Sequence, residues 1–290
     1  MSEYLIDKRQ VRRAFSRAAA DYDATAVLQR EVCTRMLERL EYIKLQPARI
    51  LDAGSGTGWG GRQLAEKYPA AQLVSLDIAI GMLQNARSRA GWWQKLFGST
   101  RQMPLCADVE ALPLASGSVE MIWSNLAVQW CNDLPATFVE LNRVLKVDGL
   151  LMFSTFGPDT LRELRQAFAG VDGHNHLNRF ADMHDMGDML VAAGFAEPVM
   201  DMEYFTLTYE DVRGVLHDLK AIGANNATAG RAQGLMGKQA WARLLENYEK
   251  LRRDGKLPAT YEVVYGHAWK PKPKNLADGR AIIKTDFRIK

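Results

Sequence analysis

The chain has few cysteines, no long apolar run and no marked excess of either charge. Cys33, Cys106 and Cys131 lie far apart with no C-x-x-C pair, an odd set that argues against a disulfide framework and a thiolate zinc site. No stretch reaches the roughly 18 apolar residues of a membrane span, and the N-terminus (MSEYLIDKRQVRRAF) is too polar for a signal peptide. A cytoplasmic protein without a membrane partner is therefore expected. Lys+Arg number 37 against Asp+Glu 34, and a net charge of +3 is too small to indicate a nucleic-acid partner. There is no low-complexity segment and no internal repeat. What is present, 47% hydrophobic and 24% charged residues over 290 positions, suits one enlarged globular domain or a domain with an insertion. Positive charge gathers in Lys8–Arg13 with Arg17, and in the tail from Lys270 to Lys290. Such runs read either as a solvated face or as a docking surface for an acidic partner.

Residues 26–40 set Leu28, Val32, Met36 and Leu40 at four-residue intervals, the stripe of an amphipathic helix. Five short apolar runs follow: RILDAG (49–54), LVSLD (73–77), MPLCAD (103–108), VEMIWSN (119–125) and LLMFST (150–155). Helical stretches separate them, the last starting after Asp133 as N-cap and ending before a turn at Asp148-Gly149. Strands alternating with helices mean parallel pairing through right-handed crossovers, so an α/β, doubly wound Rossmann-like sheet is expected over about 47–156. After Phe156 the alternation ends. GPDTLRELRQAFAG reads as helical, HNHLNRF as a loop and DMHDMGDMLVAAGF as a helix closed by Gly194. Two strands, PVMDMEYFTLTY and ATYEVVYGHAWK, predict an antiparallel addition at the sheet edge, with two helices between them. The resulting division is an N-terminal helical lid (1–45), a nucleoside-binding core (46–209), a helical cap insertion (210–256), and a final strand with a basic tail (257–290).

LDAGSGTGWGG (51–61) ends the first strand and opens the first helix. Gly56, Gly58 and Gly61 satisfy G-x-G-x-x-G, so an NAD site and an oxidoreductase have to be weighed; alone, the match is weak. Glycines there permit positive φ and close approach of a ligand to the backbone, beside the free N–H groups of a helix start. Asp52, just before them, would repel a pyrophosphate but suits a ligand bearing ammonium and sulfonium charge. S-adenosylmethionine is such a ligand. Asp77 ends the second strand, where a carboxylate accepts from ribose hydroxyls, and Asp108 ends the third, where it can accept from an adenine amino group. His174, His176 and His184 show no convincing metal-ligand spacing. The methionines from Met183 to Met202 read as core.

Asp52, Gly54, Gly56 and Gly58, with Leu76-Asp77 and Asp108, make 47–156 resemble the class I S-adenosylmethionine-dependent methyltransferases. A resemblance over nearly the whole chain is to the malonyl-acyl-carrier-protein O-methyltransferases of biotin synthesis. It is carried by AFSRAAADYD (14–23), LQR (28–30), SNLAVQWCND (124–133), HLNRF (176–180), LKAIGA (219–224) with Gly230-Arg231, and LPATYEV (257–263). Ser55, where many members have cysteine, and the tail beyond Trp269 depart from it. NDLP (132–135), FGPDTLREL (156–164) and LPATY also resemble a branch that includes arginine hydroxylases assisting respiratory-complex assembly, which leaves a second function open, as is a methyltransferase acting on another small carboxylate.

The resemblance implies methylation of the free carboxylate of a malonyl thioester on an acidic acyl carrier protein. That group is ionised at neutral pH, so no general base is expected, and alignment and desolvation carry the rate. Esterification would delete the charge and leave a group resembling an ordinary acyl chain. The implied cofactor set is Asp52, Gly54, Gly56, Gly58, Asp77, Ile78, Met82, Asp108, Val109 and Asn125. Tyr22 and Gln129 are expected to border the methyl group, Trp130 to form an apolar wall, and Arg179 or Arg231 to pair with the carboxylate. Arg12, Arg13, Arg17, Arg162 and Arg165 are candidates for steering the carrier.

Overall fold

The computed structural model describes residues 5–89, 102–172, 176–222, 227–228, 234 and 236–273. His174, Gly230, Arg231 and most of the expected basic tail (274–290) lie outside them. Among the described residues the sheet has seven strands in the order β3-β2-β1-β4-β5-β7-β6. The first five, β1 (Arg49–Ala53), β2 (Gln72–Asp77), β3 (Gln102–Cys106), β4 (Val119–Asn125) and β5 (Leu145–Phe156), are parallel where they pair. The chain starts in the middle with β1, lays β2 and β3 on one side, then returns to lay β4 and β5 on the other. The strand order therefore reverses between β1 and β4, where crossovers leave in opposite directions and a crevice opens at the carboxyl ends.

The antiparallel addition is present, but β7 (Leu257–Trp269) lies inside the sheet between β5 and β6 (Ala196–Tyr209), antiparallel to both. Burial explains that order. Residues Leu257–Gly266 are buried without interruption, as a strand covered on both faces must be, whereas β6 alternates half-buried and exposed along most of its length, as an edge strand does. The turn expected at Asp148-Gly149 occurs as a bulge. Helix passes directly into β5 at Leu145, and the register jumps from Val119↔Leu145 to Met121↔Leu150, with Asp148 at φ 60°.

Helices cover both faces. On one lie α3 (Val27–Leu40), α4 (Trp59–Lys67), α7 (Arg162–Phe168), α9 (Val212–Ala221) and α10 (Lys238–Glu249); on the other lie α6 (Leu134–Val144) and α8 (Met183–Ala192). Their starts follow the sequence: Asp133 accepts from Ala136 N at 2.9 Å, Asp182 from His184 N at 2.8 Å and Asp211 from Gly214 N at 2.8 Å. The helix expected from Gly157 starts only at Arg162, because Leu161 turns the chain at φ 56°.

The N-terminal segment has two roles. α1 (Lys8–Ala18) and α2 (Tyr22–Thr25) lie over the strand ends, and α1 packs on α5 (Ile80–Arg89) so closely that a Cβ on Gly81 would sit 2.9 Å from the Ser16 backbone. α3 instead buries Val32, Met36 and Leu40 completely in the core. Arg39 at its end donates to Asp201 and Glu203 at 2.6 and 2.7 Å and lies 3.9 Å over the Tyr265 ring, pinning α3 to β6 and β7. Met36→Ala is expected to cost about 2–5 kcal/mol in urea unfolding; a cost under about 0.5 kcal/mol would mean that α3 moves with the roof.

Candidate active site

β1 ends in a turn that few side chains would permit. Gly54, Gly56 and Gly58 hold φ of 85°, 54° and 78°, and a Cβ on Gly54 would lie 2.2 Å from that of Ala127. The backbone N–H groups of Gly54 and Ser55 both donate to Leu76 O at 2.8 Å, which ties the loop to the end of β2. Asp77, the last residue of β2, accepts from Gly56 N (2.9 Å) and Ala79 N (2.7 Å). One carboxylate thus fixes the glycine loop and the start of α5 together.

Asp52 stands on the neighbouring strand, 3% exposed, and its Oδ2 has no hydrogen-bond partner. Burial, reinforced by the negative charge of Asp77, pushes its carboxyl up to about 7. Burial also raises Asp77, to about 6, against the pull of its two backbone donors. The Tyr22 hydroxyl is pushed well above its usual range by burial and by Asp77 and Asp23. Two carboxylates held out of water with one oxygen unpaired make a site prepared for positive charge.

Three cavities adjoin here. The first, about 650 Å³, brings together ten of the residues expected from sequence: Tyr22, Gly54, Gly56, Asp77, Ile78, Met82, Asp108, Val109, Asn125 and Trp130. Its roof is α1, through Lys8, Val11 and Phe15. The second, about 480 Å³, is lined by Asp52 with Asp23 and Arg30 and shares Tyr22, Gly54, Gly56 and Asn125 with the first. The third, about 830 Å³, is mostly apolar, with Phe156, Leu161, Leu164, Phe168, Leu177 and Phe180 among its walls. Trp130 lines both the first and the third.

Individual residues then take definite places. Asp108 accepts from Lys8 Nζ at 3.0 Å, and Glu110 also takes that ammonium, so α1 is latched to the end of β3. Asn125 donates to Gln29 O and accepts from Ser154 Oγ, both at 2.9 Å, which braces α3 against the strand ends. Gly58 caps α4 and lies outside the three cavity walls. Gln129 lines only the third; its Nε2 donates to Leu126 O at 2.7 Å, leaving Oε1, an acceptor, without a partner. Phe15 meets Trp130 edge-to-face at 5.3 Å. Arg179 is exposed and absent from all three walls, although its neighbours Asn178 and Phe180 line the third. Among the described residues no lysine or arginine lines that third cavity.

Residues 51–153 match the model of the methyltransferase domain family. A malonyl-[acyl-carrier protein] O-methyltransferase from Gallionella capsiferriformans is 82% identical over 290 residues, 100% of both chains. Another, from Laribacter hongkongensis, is 59% identical over 97% of this chain and 96% of its own. The chain belongs to the malonyl-[acyl-carrier protein] O-methyltransferase family. The YcgJ protein of Bacillus subtilis, at 14% identity, superposes with a TM-score of 0.59 over 84% of this chain and 100% of that one, a likeness of fold alone.

For this methyltransferase, reading the sequence missed Lys8, Phe15, His176 and Asn178 as parts of the walls. His176 stacks on Phe168 at 3.8 Å and pairs through Nε2 with Asp172 at 2.7 Å, so a residue first weighed as a metal ligand is an aromatic wall. Two raised carboxyls have a direct consequence. A folded state that binds protons more tightly than the unfolded chain loses stability as pH rises through the shifted range. The free methyltransferase is therefore expected to become more stable as pH falls from 8 to about 5.5, and Asp52→Asn to remove part of that slope in urea midpoints. An unchanged slope in the variant would show that Asp52 is ionised throughout.

Proposed function

We propose that the protein transfers a methyl group from S-adenosylmethionine to the free carboxylate of a malonyl thioester carried on an acyl carrier protein. The observation that carries this reading is the 82% identity, over the full length, with a malonyl-[acyl-carrier protein] O-methyltransferase. The site's chemistry fits the cofactor: Asp52 Oδ2 is a buried acceptor without a partner, and Gly56, on the walls of the first two cavities, has nothing within 4 Å of where a Cβ would stand. Asp52 would take the ammonium, with Arg30 on the same wall for the neighbouring carboxylate. Asp77 would accept from the ribose, with Gly54 and Gly56 admitting the ligand to the backbone and Gly58 shaping the turn. Ile78, Met82 and Val109 would hold the adenine, and Asp108 its amino group, with Lys8 screening the charge on Asp108. Bound there, S-adenosylmethionine supplies an electrophilic methyl group.

The rest falls to the chain's own residues. The acceptor carboxylate is ionised at neutral pH, so no side chain has to remove a proton. Phe15, Tyr22 and Trp130 exclude water where the two binding spaces meet, which strips the carboxylate of the solvent that blunts it. Gln129 is fixed by its bond to Leu126 O and presents an acceptor oxygen, which suits an electron-poor methyl group rather than a carboxylate. His176 and Asn178 are the polar residues of the loop 176–180 that line the apolar cavity. Arg231, next to Gly230 in the family-like segment, is the cation proposed for the carboxylate, in place of the exposed Arg179.

Purified protein incubated with S-adenosylmethionine and malonyl-carrier protein is expected to add one methyl group by intact mass, and none to an acetyl-loaded carrier. No gain on the malonyl carrier, with cofactor binding confirmed by calorimetry, would overturn the acceptor. Asp77→Ala is expected to weaken cofactor binding about ten- to hundredfold in the same calorimetry; undiminished affinity would remove Asp77 from the ribose site.

A further inference from the structure

Two clusters of arginine compete for the carrier protein, and the structure separates them. Arg9, Arg12, Arg13 and Arg17 are exposed on α1, whose other side roofs the first cavity through Lys8, Val11 and Phe15 and which packs on α5 beside β2. The apolar cavity lies toward the other end of the sheet, over β5 and β7, with Phe156 and Tyr261 in its wall and α7, α9 and the loop 176–180 around it. An acyl group tethered to a protein by a long arm enters through the space that accepts the arm. The protein must then sit at that space's mouth.

The mouth is basic. Arg165 on α7 is exposed, and its guanidinium donates to the carbonyl of Thr160, a residue of the cavity wall, at 3.3 Å. Lys220 on α9 is exposed and follows Leu219, another wall residue. Neither pairs with a carboxylate among the described residues. Arg179 is exposed between the wall residues Asn178 and Phe180. Local acids are engaged: Asp172 pairs with His176, and Asp159 with Arg162 at 3.7 Å. Arg162 itself is held by Asp159 and Glu163 and faces Tyr204 at 5.7 Å, so its charge is satisfied within the chain.

We propose that this rim, with Arg165 and Lys220 as its free cations and Arg179 in the adjoining loop, is the surface on which the acidic carrier protein docks, and that the arginines of α1 are not. The inference rests on the acceptor reading above. Complementary charge at such a rim speeds encounter and orients the partner, and contributes less to the transfer itself.

The test compares Arg165→Glu/Lys220→Glu with Arg12→Glu/Arg13→Glu on two substrates, malonyl-carrier protein and the malonyl thioester of N-acetylcysteamine, which has no carrier. The rim variant is expected to raise KM for the carrier substrate roughly tenfold or more at low salt. It should leave kcat, cofactor affinity and turnover of the small thioester close to wild type, and the α1 variant should match wild type on both substrates. Added salt should raise the wild-type carrier KM toward that of the rim variant. Wild-type protein that methylates neither substrate would sink the acceptor reading itself. Wild type active on the carrier with an unaffected rim variant would overturn the docking surface alone, and a selective effect in the α1 variant would move docking there. Equal loss on both substrates would mean that Arg165 and Lys220 serve the fold or the transfer, and would also overturn the proposal.

Discussion

Two carboxylates on adjacent strands, Asp52 and Asp77, are kept from water at the point where the sheet's order reverses. Burial disfavours the charged form of each, and the charge of Asp77 adds to the effect at Asp52, so both hold their protons more tightly than free aspartate does. Everything around the site accommodates that constraint. The glycine turn brings N–H groups within reach of Asp77, α1 and α2 exclude water from above, and the Lys8 ammonium neutralises the third acid, Asp108. A positively charged ligand relieves what the free protein tolerates, so the least comfortable part of the fold is the part made for binding.

The tolerance comes from elsewhere. Interdigitated side chains on both faces of the sheet supply burial far from the acids, through the inner stripe of α3, β5 from Gly149 onward and nearly all of β7. At the β5–β7 contact a Cβ on Gly266 would lie 2.5 Å from the Phe153 ring, so the strand interior leaves no room for one more carbon at that place. A rigid sheet of this kind holds the strand-end acids at fixed spacing, which a loop scaffold would not.

Much of this was legible in the linear chain. Asp52, Asp77 and Asp108 are strand-terminal, and parallel pairing sets consecutive strand ends side by side, so a one-dimensional pattern maps directly onto one edge of the sheet. The four-residue stripe in α3 and the cap at Asp133 are likewise local. Lys8 was not legible as part of the site, because its meeting with Asp108 spans 100 residues and lies on a helix whose other cations face solvent. The apolar cavity was hidden for the same reason, its walls running from Gln129 to Tyr261. The place of β7 inside the sheet had a partial signal that was not used: LPATYEVVYG is mostly apolar, broken only by Thr260 and Glu262, against the alternation of β6. Arg179, expected at the acceptor carboxylate, is exposed while Asn178 and Phe180 take the wall, a loop direction set by neighbours' packing that the linear chain does not carry.

Trp130 is shared property: one indole lines both the first cavity and the apolar third. Thermodynamics makes such sharing reciprocal, since whatever one ligand does to the ring changes the affinity for the other by the same factor in either order of binding. With Phe15 set against it from the roof, the same ring ties the position of α1 to the shape of the acceptor space. With the proposed ligands in these two cavities, a shift of the Trp130 ring on one side would reshape the wall on the other, so cofactor and acceptor would feel each other through one side chain.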